Sequence, residues 1–273
     1  MTRGARPGTG LPEADRSGLI GRADRSGPAL LLAGHGSRDP RSAATVATVA
    51  ERVAAARPGV TVRPAFLDLS APAVDRVVDA LARAGHTRIV AVPLLLGNAF
   101  HARVDLPGLL AAARRAHPLL RVDRSEVLGP DPRLVAALAD RVRETSESSA
   151  RPLPVAGQRL GVVVAAVGAS SAAANARTRR VATALTAHTG WATEIGFATA
   201  APGVPDAARR LYARGADRVV VAHYFLAPGL LTDRIADSAP DLAHTAPLGT
   251  HPALIDLVWD RYDAVAAPCA LSA

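Results

Sequence analysis

The chain has 273 residues, 49% of them hydrophobic but only 3% aromatic, which suits one large domain or two of ordinary size with an aliphatic core of Ala, Val and Leu. No apolar run approaches the ~20 residues of a membrane span, the N-terminus carries no apolar signal segment, and the single cysteine, Cys269, excludes a disulfide framework or a Cys-ligated metal within one chain. The formal charge of +8 rests on 32 Arg and no Lys, dispersed rather than striped with aromatics, so nucleic acid is not expected as a partner; without a spanning run no membrane partner is expected either, and the lone cysteine favours a cytoplasmic location.

Residues 1–27, rich in Gly, Arg, Pro and Ser, read as a disordered tail. Order begins near Ala29. The run Leu30–Ala33 is a strand. A helix follows with Ala43, Val46, Ala47, Ala50, Val53 and Ala54 on one face, stopped by Arg57-Pro58-Gly59. Val60–Phe66 is the next strand. A second helix turns Val74, Val77, Val78 and Leu81 inward and Asp75, Arg76, Asp79 and Arg83 outward. Ile89–Leu96 is a buried strand, Leu106–Ala116 a helix, Leu119–Val127 a strand and Pro132–Arg143 a helix. Strand and helix in alternation predict a parallel sheet covered on both faces. Ser, Pro and Gly break the rhythm, and residues 146–158 read as a linker between units at 28–145 and 159–265, with a tail at 266–273.

The second unit repeats the first. Strands at 161–165, 191–197, 217–225 and 244–248 alternate with helices at 172–188, 204–214, 230–239 and 254–265. Gly36 matches Gly168 and Gly85 matches Gly215, a period of about 130 residues that marks a duplicated unit. The copies are unequal. Val167 stands where His35 stood, and Leu231 where His101 stood.

Ligands of open parallel sheets bind beyond the carboxyl ends of the strands. His35 follows the first strand, Asp68 the second, and His101 lies in the loop after the third. Imidazole and carboxylate together suit Fe, Co, Ni or Zn. Glycines flanking His35 let a large ligand approach the backbone. Asp68 has a second reading, as a cap for the next helix. Arg38 and Arg103 belong only to the first copy, their counterparts being Ser170 and Asp233; they either hold substrate carboxylates or stand solvated at the surface. Ser37 and Asn98 are hydrogen-bond donors to a ligand or plain turn residues. His86, His117 and His188 end helices, where positive charge is favourable. His223, at a strand end of the second copy, either borders a cleft or is structural, and His244 and His251 show no partner in sequence. Trp191, Trp259 and Tyr212 read as core or interface. A phosphate loop and a nicotinamide fingerprint are both missing.

The segments His35-Gly36-Ser37-Arg38-Asp39-Pro40, Phe66-Leu67-Asp68-Leu69 and His101-Ala102-Arg103-Val104-Asp105-Leu106-Pro107 resemble the sirohydrochlorin chelatases of the CbiX/SirB-like family, strongly over residues 29–145 and more loosely over 159–240. The resemblance implies an α/β fold of two similar lobes, each a four-stranded parallel sheet flanked by helices, with the macrocycle in the cleft. It implies ATP-free insertion of a divalent metal into sirohydrochlorin. His35 and His101 would be the metal-binding and proton-accepting histidines. Asp68 would be a third ligand at a position where relatives often carry Glu. Ser37, Arg38, Asn98 and Arg103 would bind substrate. Fe2+ is the first expectation, with Co2+ insertion or a non-catalytic metal and tetrapyrrole carrier as alternatives. No cofactor beyond the substrate metal is expected, and a two-lobed monomer is. Val167 and Leu231 then mark a lobe that lost metal chemistry and remained as a wall.

Overall fold

The computed structural model of the protein describes residues 27–97, 105–148 and 158–267. Most of the expected tail, the centre of the expected linker, and Asn98, His101 and Arg103 lie outside the described residues. The first half runs β1 (Ala29–Gly34), α1 (Pro40–Ala56), β2 (Val62–Phe66), α2 (Val74–Arg83), β3 (Arg88–Pro93), α3 (Leu106–Ala116), β4 (Arg121–Arg124) and α4 (Pro132–Ser148). The second runs β5 (Leu160–Ala166), α5 (Ala172–Thr189), β6 (Ala192–Phe197), α6 (Val204–Ala213), β7 (Arg218–His223), α7 (Leu230–Ser238), β8 (Ala243–His244) and α8 (Pro252–Ala266). Each half forms a four-stranded parallel sheet, in the orders β2-β1-β3-β4 and β6-β5-β7-β8. The expected class holds for both halves.

The central strands β1 and β5 are buried along their whole length, as a near-continuous apolar run in a doubly covered sheet requires. Alternation along each strand then assigns its faces. Leu30 and Leu32 of β1, with Val162 and Val164 of β5, face one shared core. Leu31 and Ala33 face a separate cluster with α2 and α3. Val163 and Ala165 face a third with α6 and α7. Helices α1, α4, α5 and α8 therefore lie between the sheets. The last helix of each half crosses over: α4 packs on β7, and α8 packs on β3 and α1. Neither sheet is covered by its own half alone.

Some expectations shift at element ends. β3 stops at Pro93, whose missing N–H ends the ladder; Leu95 N–H then turns back to the Pro93 carbonyl at 2.9 Å. β2 and β4 are shorter than their apolar runs, β8 is only two residues, and α4 continues beyond Arg143 to Ser148. In α1 the buried row is Val46, Val49, Ala50 and Val53, and Ala47 is exposed. The larger apolar surface of the valines decides the rotation of the helix. Of the aromatics expected in core or interface, Trp259 is buried and Tyr212 is 46% exposed, outside the core.

Much of the arginine excess joins the halves. Arg57 grips Asp263 with two bonds of 2.6 and 2.7 Å and lies 4.3 Å over the Trp259 ring. Arg88 donates to the carbonyls of Val265 and Ala266 at 2.6 and 2.8 Å. Arg52 reaches Thr250 O at 2.9 Å, Arg261 reaches Val127 O at 3.0 Å, and Arg133 pairs with Asp260. A guanidinium serves several acceptors at once, which an ammonium on a flexible stem does less well. Partly exposed pairs of this kind contribute about 0–1 kcal/mol each. They fix register, while burial supplies the stability.

Candidate functional site

The apolar run of β1 ends at Gly34, and the chain emerges at the carboxyl rim of the first sheet as His35-Gly36-Ser37. Gly36 has φ +95°, and a Cβ there would sit 1.7 Å from the Asp68 carbonyl oxygen. Only glycine lets the loops after β1 and β2 approach this closely. The approach is sealed by backbone bonds, Leu67 N–H to Gly34 O at 2.9 Å and Asp68 N–H to His35 O at 3.1 Å. His35 and Asp68 are thus neighbours through their main chains. The Nδ1 atom of His35 is buried, within a partly exposed residue.

Two serines brace the loop. Ser37 N–H donates to Ser70 Oγ at 3.0 Å, and the Ser70 hydroxyl donates back to Ser37 O at 2.9 Å. Ser37 Oγ accepts the Asp39 N–H at 3.1 Å, which leaves its own O–H as a donor. Arg38 is exposed. Asp68 is exposed as well, with Oδ1 accepting the Leu69 N–H at 2.8 Å; Leu69 has φ +59°. The alternative of Asp68 as a helix cap fails. The cap position of α2 is Ala73, with no side-chain capping bond. Among the described residues no three His, Cys, Asp or Glu side chains gather as a metal site.

Sequence reasoning missed Asp39 and Arg41. Asp39 is buried and caps α1, accepting the Arg41 N–H at 2.9 Å. The order Asp-Pro at a helix start carries that signal. Hydrogen bonds from Arg41 hold its carboxyl below the usual range, the side-chain bond first and the backbone bond second. Arg41 donates to both Asp39 oxygens and also to Asp233 of α7, in the other half. Tyr224 was missed too. It directly follows β7, and its hydroxyl donates to Leu96 O at 3.2 Å, on the path from β3 toward α3. A side chain at Gly129 would collide with that hydroxyl at 2.5 Å. Burial pushes the Tyr224 phenol well above its ordinary pKa, so it remains a donor.

The second half keeps the scaffold and changes the chemistry. Gly168 has φ +86°, and Thr199 N–H donates to Val167 O at 3.0 Å, repeating the bond between Asp68 and His35. Val167 is 44% exposed, and Leu231 packs against the α6/α7 cluster. His244, without a partner in sequence, has two in the fold: its Nδ1 lies 3.1 Å from His223 Nε2, and its Nε2 3.0 Å from Ala239 O. The carbonyl requires the proton on His244 Nε2, so His223 Nε2 is the donor to His244 Nδ1. The pair sits among Phe225 and the α6/α7 cluster, away from the shared core. His251 Nδ1 accepts the Ala253 N–H at 3.2 Å, and His117 pairs with Asp79 at 2.6 Å.

Comparison with known proteins covers both halves. The family model CbiX matches residues 29–145 and again 161–265. A sirohydrochlorin cobaltochelatase of Methanosarcina acetivorans is 30% identical over 122 residues, 42% of this chain and 94% of its own. A sirohydrochlorin cobaltochelatase of Priestia megaterium is 26% identical over 212 residues, 76% of this chain and 67% of its own. A sirohydrochlorin ferrochelatase of the same organism is 33% identical over 118 residues, 43% and 44% of the two chains. Among solved structures, SirB from Bacillus subtilis with Fe3+ superposes with a TM-score of 0.72 at 22% identity, over 86% of this chain and 94% of that one, a likeness of fold. Matched in order through both halves, the chain belongs to the CbiX family.

Proposed function

We propose that the protein is a sirohydrochlorin chelatase, inserting a divalent metal into the tetrapyrrole without ATP. The observation that carries this reading is the family match over both halves, together with His35 leaving β1 against the Asp68 loop. Insertion exchanges two pyrrole N–H protons for one metal ion. A neutral imidazole either binds a metal or takes a proton, so the two tasks need two groups. His35 is one of them, and His101 is the second by its place in the sequence motif. Asp68, exposed at the same rim, is a third ligand for an incoming divalent ion. Ser37, through its free O–H, and Arg38, Asn98 and Arg103 bind the substrate periphery, where guanidinium suits carboxylate. The second half forms the opposite wall, and a ring held bent between the halves presents its nitrogens to the metal.

Iron(II) is the metal we propose first, and cobalt(II) second; relatives of this chain carry both names. No other cofactor is required, and among the described residues no helix is long and apolar enough to cross a membrane. The test is direct. Purified protein, sirohydrochlorin and Fe(II) or Co(II) are mixed without ATP, and the change in absorbance is followed. Insertion faster than the spontaneous reaction is expected with at least one metal. His35→Ala is expected to lower that rate by at least about 100-fold, the usual scale for a lost acid–base group, with an unchanged melting temperature. A wild-type rate equal to the spontaneous one overturns the reading.

A further inference from the structure

We propose that Asp233 and Arg41 form a positioning pair through which the second half sets the geometry of the His35 loop. The proposal rests on the chelatase reading and adds a role for the half in which Val167 and Leu231 stand in place of His35 and His101. A continuous chain of bonds connects the two. Asp39, four residues beyond His35, donates its N–H to Ser37 Oγ at 3.1 Å. The Asp39 carboxylate accepts from Arg41 Nε at 3.0 and 3.2 Å and from Arg41 Nη2 at 2.6 Å. The same Nη2 donates to Asp233 in the first turn of α7.

The helices are placed for this contact. A Cβ on Gly229, the residue before α7, would sit 3.7 Å from Asp39 Cβ, so the start of α7 lies directly against the Asp39 side chain. Asp39 is 8% exposed, whereas Arg41 and Asp233 are about half exposed. An Asp in the first turn of a helix is by itself unremarkable, since the helix dipole favours it there. A guanidinium shared between two carboxylates from two halves is not explained by a dipole. It separates like charges that would otherwise face each other across the rim. The repeat sharpens the point. Asp233 occupies the position held by Arg103 in the first half, so the charge has reversed where the second half meets the first.

A pair this exposed adds little stability. Its consequence is geometric. A macrocycle bent between the halves feels the span of the cleft, and small misplacement at a reacting centre is costly in rate. Arg57–Asp263 offers an internal control. It too is a partly exposed ion pair between the halves, but it lies at the opposite end of α1.

The experiment compares Arg41→Ala, Asp233→Ala, the double variant, Asp233→Glu and Arg57→Ala, by metal-insertion kinetics and by amide hydrogen exchange of residues 35–45. Asp233→Ala and Arg41→Ala are each expected to lower kcat about 10-fold, with the double variant no worse than either. The KM for metal is expected to stay constant. Asp233→Glu restores most of the rate, and Arg57→Ala retains it. Exchange at the Asp39 and Arg41 amides is expected to quicken in Asp233→Ala and not in Arg57→Ala. Unchanged exchange in Asp233→Ala overturns the proposal, as do additive losses in the double variant or an equal loss in Arg57→Ala. An inactive wild type would end the chelatase reading, while the exchange measurement would still decide the coupling.

Discussion

At the residue scale, the site depends most on an atom that is missing. Gly36 has no side chain because the Asp68 carbonyl occupies its place. Gly36→Ala therefore forces backbone movement and a left-handed conformation on a residue that resists it. We expect a loss of about 2–3 kcal/mol or more and a collapse of activity, measured by denaturant midpoint and by the insertion assay. Gly59→Ala, with nothing within 4 Å of the added Cβ, should change neither. The strand-end placement of His35 and Asp68 was legible in sequence, and their main chains do meet, Asp68 N–H on His35 O. Arg41 and Tyr224 were not legible, because their partners lie 192 and 128 residues away in sequence. His223 was undecided in sequence, since a histidine at a strand end reads alike whether it faces a cleft or a core. Its environment now yields a prediction. Burial first, and the neighbouring His244 second, lower its pKa to about 4. The unfolded chain protonates it near pH 6.5 while the folded protein does not, so stability falls as pH drops from about 6.5 to about 4. The loss attributable to His223 is on the order of 3 kcal/mol. Urea midpoints at pH 7.5 and pH 4.5 should show this slope, and His223→Leu should flatten it. An unchanged slope in the variant would count against a neutral buried His223.

Elements were readable where a single physical rule governed them. The α2 row Val74, Val77, Val78 and Leu81 is the buried row because no competing apolar face exists on that helix. In α1 the expected face shares Val46, Ala50 and Val53 with the buried row, and periodicity alone could not place Ala47 and Val49 at its edges. Packing chose the larger apolar area, so Val49 went in and Ala47 stayed out. Strand ends were overrun for a different reason. Leu94 and Leu128 are buried loop residues outside any strand, and burial without pairing looks the same in sequence as burial within a ladder. Leu94 N–H still reaches Ala33 O at 2.9 Å, and Leu128 N–H reaches Leu95 O at 3.0 Å. These bonds continue the cohesion of the rim past the last regular pair. The second half repeats them with Tyr224 to Ala165 O at 2.8 Å and Leu248 to Phe225 O at 2.9 Å. The duplication therefore extends into the loops that frame the site.

At the scale of the whole molecule, the decisive feature is the exchange of the last helices. α4 leaves the first sheet and packs on β7, and α8 leaves the second and packs on β3. Sequence showed two similar halves but not this exchange, because α4 and α8 are amphipathic in either arrangement. The exchange has a consequence for a half taken alone. A fragment of residues 27–148 keeps β1–β4 but lacks the α8 surface, including Leu257 and Val258, that covers β3. It also carries an α4 whose apolar side, with Leu134 and Leu138, has lost β7. Two such fragments satisfy each other, α4 of one replacing α8 on the β3 of the other, since α4 and α8 occupy matching places in the repeat. Relatives of half this length match one half nearly end to end, so the unit is complete in other members of the family. We therefore expect the fragment to be a dimer with native helical content, seen by light scattering and circular dichroism. Its opening on dilution should coincide with unfolding, because the shared apolar core contributes the stability of both copies. A folded, monomeric fragment would show that β3 can be covered from within its own half, and would overturn the exchange as the basis of the two-lobed form.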